Sequence, residues 1–264
     1  MNSLNLVTPV VLTFNEASNI ERTLSALRWA NRVVVLDSDS SDETPAIARK
    51  FANVDFCEHP YKSHADKCNH ALDHLVADCP WVLFMDADYV VTDELRQELA
   101  ELSPTADVSG YWIPFRYCVD GTPLRGTLYP PRICLFRPEK GRFDQFGHTQ
   151  LLQLKGLIGH LRSPMLHDDR KPSSEFAQRQ KRYAELEATY LLSQPWRSLS
   201  WPKRLRRLLV IAPWAAPAFA LLYRGVILDG LPGLKYAWER AQAEWLIAGA
   251  LFRQMLTIRT KSAE

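Results

Sequence analysis

Between Val7 and Asp88 short apolar runs alternate with stretches whose apolar residues recur at helical spacing. The runs fall at residues 9–14, 32–36, 54–57 and 81–85, and the first two are short and rich in β-branched side chains, which favours buried strands. Strands alternating with helical stretches predict an α/β layer on a mostly parallel sheet. Ser18-Asn19-Ile20-Glu21 has the form of a capping box, and Ile20, Leu24 and Leu27 share one helical face, so a helix is expected there. Further helix starts are expected near Asp42, Ser63 and Thr92.

Past residue 105 the texture changes. Residues 111–119, an Asp120-Gly121 turn and residues 132–136 predict antiparallel strands joined by a hairpin, so a sheet that begins parallel ends mixed. Residues 173–193 read as a charged helix. Lys203, Arg204, Arg206 and Arg207 then lead into an uncharged run at 208–223. A helix of that length spans about 24 Å, short of the roughly 30 Å hydrocarbon core of a bilayer. Pro213 and Pro217 also interrupt it, so a simple transmembrane helix is disfavoured. Trp196, Trp201, Trp214, Tyr223, Tyr236, Trp238 and Trp245 crowd the same region. That composition suits a segment lying at a lipid interface; the alternative is a soluble helical subdomain packed on the core or on another copy. The expected division is residues 1–170 for the α/β domain and 171–264 for a helical region associating with a membrane surface.

Composition narrows the classes. The 264 residues are 47% hydrophobic, ample for a core, and 32 Lys and Arg against 30 Asp and Glu give a net charge of +2. Global electrostatics therefore give no reason to expect nucleic acid as a partner. Cys57, Cys68, Cys79, Cys118 and Cys134 form no CxxC pair and are odd in number, which suits packing residues in a reducing compartment. The N-terminus lacks a basic region followed by an apolar core, so no secretory signal is read, and the catalytic part is expected in the cytoplasm.

Candidate chemistry sits at the ends of the apolar runs. The first is followed by Thr13-Phe14-Asn15-Glu16, the second by a loop of Asp and Ser from Asp37 to Thr44, and the fourth by Asp86-Ala87-Asp88. In open α/β sheets ligands bind beyond the carboxyl ends of the strands, so three polar clusters would converge on one rim. Two carboxylates one residue apart can hold Mg²⁺ or Mn²⁺, and such an ion would bridge a nucleotide diphosphate. Taken singly, the Asp/Ser loop can equally be structural. His70 and His74 stand at i, i+4, but no glutamate follows the first, which argues against a zinc protease helix. A phosphate-cradling GxxxxGK[ST] loop, a GxGxxG sequence and a GxSxG nucleophile elbow are missing, against kinase, dehydrogenase and hydrolase readings.

With these clusters the chain resembles the family 2 glycosyltransferases: Asn15-Glu16 closes the opening strand, Asp37, Ser40 and Asp42 form the next loop, and Asp86-Ala87-Asp88 supplies the DxD. The resemblance implies a GT-A fold, inversion at the sugar carbon and a nucleotide-sugar donor, a UDP-sugar first. It implies that Asp37 contacts the nucleoside, that Asp86 and Asp88 address uracil-ribose and the metal-diphosphate, and that Lys67 and Asn69 meet the diphosphate. Lys67 can equally be a solvated helix residue. Arg132 and Arg137 are candidates to neutralise the leaving diphosphate. Residues 131–136, the charged helix, and Leu228-Asp229-Gly230 followed by Gly233 resemble the lipopolysaccharide-core glucosyltransferase branch, which implies a lipid-linked acceptor at the cytoplasmic face of the inner membrane.

One departure stands out: where those relatives carry His-Glu, this chain reads Gly147-His148-Thr149-Gln150. The candidate bases are then His148, Asp144 and Asp168, with Asp169 beside them. Otherwise the acceptor is already anionic, such as a polyprenyl phosphate, or the protein is a non-catalytic sugar-nucleotide scaffold.

Overall fold

The computed structural model describes residues 3–146 and 149–261. Strands β1 (Val7–Thr13), β2 (Val33–Asp37), β3 (Val54–Glu58) and β4 (Trp81–Asp86) run parallel, in the spatial order β4-β1-β2-β3. Helices α1 (Ile20–Ser25), α2 (Thr44–Ala48), α3 (His64–His70, continued by a π turn to Leu75) and α4 (Asp93–Glu101) lie between and after them. Alternate side chains of each strand feed two cores. Val11, Val33, Val35, Leu83 and Met85 meet Leu24, Leu27, Leu95 and Leu99 on one face. Val10, Val34, Leu36, Val82 and Phe84 meet Ala65, Cys68, Ala71 and Leu72 of α3 and its turn on the other. Burial on both faces explains why β1, β2 and β4 read as continuous apolar runs, whereas β3 at the sheet edge is only partly buried. Register then fixes the rim: Thr13 pairs with Asp37, and Leu12 with Asp86.

The chain continues through β5 (Tyr89–Val91), β6 (Val108–Ile113), β7 (Phe115–Val119), β8 (Thr122–Pro123), β9 (Arg132–Phe136), β10 (Gly141–Phe146), β11 (Thr149–Leu154), β12 (Leu157–His160) and β13 (Met165–His167). The main sheet is mixed, in the order β12-β6-β9-β4-β1-β2-β3, with β9 antiparallel to β4 and β6. A second sheet is ordered β5-β13-β7-β8, and β10 and β11 form a hairpin.

Two expectations need correction. The apolar stretch 111–119 is not one strand of a hairpin with 132–136: it divides at Pro114, whose ring nitrogen has no hydrogen to give a ladder. Before it, Ile113 pairs with Arg132 in the main sheet; after it, Phe115 pairs with Met165 in the second. The Asp120-Gly121 turn, both residues at positive φ, closes only the small β7–β8 hairpin. Nor does Ser18-Asn19-Ile20-Glu21 form a capping box. Helix α1 begins at Ile20 with no side-chain cap, because Asn19 is drawn into tertiary hydrogen bonds. The starts after Ser63 and Thr92 are capped as expected, by hydroxyls accepting from Asp66 N and Leu95 N. All five cysteines are free.

Contacts divide the chain into two compact units, residues 1–123 with 129–170, and residues 124–128 with 171–264. The second is helical: α5 (Ser173–Ser193), α6 (Trp201–Arg207), α7 (Ala212–Ala218) and α8 (Leu231–Lys261). Ala184, Ala188 and Leu191 of α5 pack with Ala250 and Leu251 of α8. Beside them Arg206 joins Glu244 at 2.7 Å and Glu187 at 3.1 Å. Among the described residues no helix is long and apolar enough to cross a membrane.

Candidate active site

The loops after β1 and β2 are sewn to one another. Thr13 Oγ1 and Ser40 Oγ each donate to Asp37 Oδ1 at 2.6 Å, and Ser40 N donates to Asp37 Oδ2 at 2.7 Å. Asn15 N donates to Ser40 Oγ, Glu16 N to Thr44 Oγ1 and Ala17 N to Asp42 Oδ2, while Asn15 Oδ1 accepts from Ser41 N. Asp37 is 1% exposed with three hydrogen bonds, so it builds the loop instead of presenting a free carboxylate to a nucleoside. Exposed side chains at this rim include Asp39, held at φ 57°, and Phe14, 56% exposed.

Beneath these loops lies Lys67, which is buried and not a solvated helix residue. Its Nζ donates to Thr13 O at 2.7 Å. Burial pushes its amine down to about 8, against the pull of Asp37, Asp86 and Glu16 towards the charged form. Asn69, expected at the diphosphate, is instead spent on structure. Its amide donates to Phe143 O and accepts from Phe143 N, clamping α3 to β10.

Asp86 and Asp88 sit on the turn between β4 and β5. Buried Thr23 of α1 donates to Ala87 O and Tyr89 O, and Asp168 N donates to Asp88 O, so the turn is fixed from two sides. The Asp86 side chain is 46% exposed and that of Asp88 16%. His167, at the end of β13, meets Asp88 Oδ2 through Nε2 at 3.1 Å. Burial disfavours a charge on His167, but Asp88 outweighs it and raises the imidazole's affinity for a proton. Around that ring stand Tyr89, Tyr117 and Tyr129, with ring centroids 5.3, 5.0 and 4.6 Å away. The Tyr89 hydroxyl shares a hydrogen bond with that of Tyr129 and accepts from Arg132 at 3.0 Å, which holds the guanidinium 4.0 Å from Asp86. Burial raises the Tyr89 phenol well above its ordinary value, so it stays a neutral partner.

A divalent cation fits this turn. Asp88 Oδ1 is buried without a partner, an uncompensated acceptor beside a second carboxylate and an imidazole. Among the described residues no group of three or more His, Cys, Asp or Glu is arranged to hold an ion alone. The shell would thus be open, as suits Mg²⁺ or Mn²⁺ completed by phosphate oxygens and water. A cavity of about 210 Å³ adjoins, lined by Leu12, Asp86, Tyr89, Arg132 and Gln150 among others. A larger depression of about 550 Å³, with Ala26, Trp29 and Arg96 in its wall, contains none of these residues.

The expected bases fare differently. Asp168 is buried and gripped by Arg170 at 2.8 and 3.0 Å and by Arg22 at 3.2 Å, so two guanidiniums hold both of its oxygens and it is not placed to take a proton. Asp169 accepts from Asn19. Asp144 is exposed on β10, opposite Leu151, which lines the cavity together with Phe143. His148 lies outside the described residues. Arg137 donates to Val108 O and stacks on Trp81, apart from the turn. Sequence reasoning missed Tyr89 and Tyr129 as site residues; His167 was legible as the head of the charged cluster that runs from it to Lys171.

The profile described as Glycosyl transferase family 2 matches residues 9–163, more than half of the chain. A lipopolysaccharide core biosynthesis glycosyltransferase, LpsC of Rhizobium meliloti (strain 1021), is 25% identical over 193 residues, 67% of this chain and 68% of its own. Succinoglycan biosynthesis protein ExoA of the same organism is 32% identical over 101 residues, 35% of this chain and 31% of ExoA, so the chain spans about a third of that protein. Among solved structures, S. aureus TarS 1–349 in complex with UDP aligns over 94% of this chain and 91% of that one, at 16% identity and a TM-score of 0.46. That last likeness is shallow in both sequence and shape. The α/β core, the acidic turn on the strand rim and the extent of the profile agree: the chain belongs to glycosyltransferase family 2.

Proposed function

We propose that the protein transfers a sugar, with inversion, from a UDP-sugar to a lipid-linked or membrane-proximal glycan of the cell envelope, at the cytoplasmic face of the membrane. The observation that carries the donor half is the convergence of the β1 and β2 loops, buried Lys67 and the Asp86/Asp88 turn on one rim. Phe14 offers an exposed ring for a base at that rim, and Asp39 an exposed carboxylate for its polar edge. Asp88 and Asp86 would hold Mg²⁺ or Mn²⁺, which when bound neutralises diphosphate charge, and His167 would orient Asp88. Arg132, held by Tyr89, supplies a second positive charge to the departing diphosphate, and Lys67 a third from below. The acceptor oxygen bonds to the anomeric carbon as that carbon's bond to the diphosphate oxygen breaks, and UDP leaves.

The acceptor's proton needs a destination. Asp168, one of the candidate bases, is occupied by two arginines, which favours a second reading in which the acceptor is a polyprenyl phosphate, whose oxygen needs no base. Labelled donor supplied with hydroxyl-bearing lipid-linked glycan or with polyprenyl phosphate decides between them. The enzyme reading predicts Mn²⁺- or Mg²⁺-dependent transfer that falls roughly a hundredfold or more in Asp88→Asn. UDP binding, followed by thermal shift, without transfer to either acceptor would instead mark a scaffold.

A further inference from the structure

The helical unit presents large apolar side chains that its own core does not use. Along α8, Leu231, Leu234, Trp238, Trp245, Phe252 and Met255 follow the a and d positions of a heptad, with Leu231 81% and Trp238 66% exposed. At 1.5 Å per residue the stripe runs about 36 Å. Helix α7 widens it: the Trp214 ring meets Trp245 edge-to-face at 6.0 Å and is itself 69% exposed. In the π turn that follows α7, Leu222 and Tyr223 are each 75% exposed. Soluble surfaces rarely carry apolar patches of this extent, and larger ones mark an interaction site.

The surrounding charge selects the occupant. Between residues 194 and 235 the basic residues other than Arg206, which Glu187 and Glu244 hold, are Arg197, Lys203, Arg204, Arg207, Arg224 and Lys235. The single acid there, Asp229, faces Arg125. Exposed tryptophans beside Arg and Lys match the boundary between hydrocarbon and phosphate headgroups. A second copy fits less well. Positions e and g beside the stripe hold Lys235, Ala237, Gln242, Gly249 and Leu251, and Glu244 is already bound to Arg206, so no opposite charges remain to pair across a helical seam. Pro213 and Pro217 keep α7 short, so any immersion is shallow.

We infer that this unit is an in-plane anchor for an anionic phospholipid bilayer, with the α8 stripe, Trp214, Leu222 and Tyr223 among the acyl-chain ends and the flanking Arg and Lys on headgroup phosphates. This deepens the membrane-proximal acceptor proposed above and rests on that reading for its biological setting, but lipid binding is measured without turnover. The full chain is mixed with phosphatidylcholine vesicles, with and without phosphatidylglycerol, and floated on a gradient. Wild type floats with the phosphatidylglycerol vesicles, less so as salt rises, and brominated lipid quenches its tryptophan emission. Leu231→Ser with Trp238→Ser, and independently Leu222→Ser with Tyr223→Ser, lowers vesicle affinity about tenfold or more, all four positions being exposed. Leu157→Ser, an exposed apolar site in the α/β unit, changes nothing. Absence of flotation on both vesicle types, folded variants that float as wild type does, or a dimer that the variants split without any lipid binding would each overturn the anchor. UDP-dependent thermal shift retained in variants that have lost flotation separates the anchor from the donor site; no UDP shift in wild type sinks the donor reading and leaves the anchor standing.

Discussion

At the residue scale, Lys67 ties folding to the donor binding proposed above. Its amine holds a proton below pH 8 in the folded chain, whereas an unfolded lysine holds one to about 10.5. Below pH 8 both states are charged and the folded one bears the full penalty of burial. Between pH 8 and about 10.5 the unfolded state binds more protons, so stability rises with pH by roughly 3 kcal/mol from this group. Urea titrations at both ends of that window should show the rise in wild type and its loss in Lys67→Met. The same variant should bind UDP more weakly at pH 7, and wild-type affinity should fall as pH passes 8. Tyr89→Phe tests the neighbouring contact: Arg132 keeps its charge but loses the hydroxyl that places it. Calorimetry should find donor affinity down several-fold and kcat lowered with it, while the melting temperature shifts by no more than one buried hydrogen bond, about 1 kcal/mol.

At the scale of elements, the strands and their order of polarity were legible because the central ones are buried on both faces and read as unbroken apolar runs. Helix starts were legible where the hydroxyl still accepts from the first turn, as at Thr92, which also donates to Pro164 O. Thr92→Ala should therefore lose about 1 kcal/mol in denaturant titration. Asn19 shows the opposite case, since Arg170 N and Asp169 reach it from 150 residues away and the local capping pattern yields. Residues 111–119 misled for a related reason: apolar alternation does not say which sheet a strand joins, and Pro114 transfers the chain from one to the other. Asn69 looked like a ligand by position, yet its amide closes α3 onto β10. Asn69→Ala should loosen that hairpin, read as faster amide exchange across β10 and β11, with UDP affinity changed less than in Lys67→Met.

For the whole molecule, the helical unit depends on contacts no local pattern announces. Arg206 bridges Glu187 and Glu244, and removing it leaves the buried Glu244 carboxylate uncompensated. Arg206→Met should destabilise the helical unit by about 3 kcal/mol, seen as an earlier helical transition in thermal circular dichroism. Gly233 is as constrained: a Cβ there would stand 1.7 Å from Val226 O, so Gly233→Ala should lower the same transition.

The sequence by itself determined the parallel strands, the acidic turn and the loops beyond their carboxyl ends, because strand burial and short-range spacing are written locally. It also determined the family, which the matching profile supports. Tertiary structure alone decided which polar residues are free to act. Asp37 and Asn69 became structural, Asp168 was neutralised by arginines from two segments, and His167 came to Asp88 from 79 positions away. The physical reason is that a side chain's availability depends on what else reaches it, and hydrogen-bond partners distant in sequence leave no periodic trace in the chain.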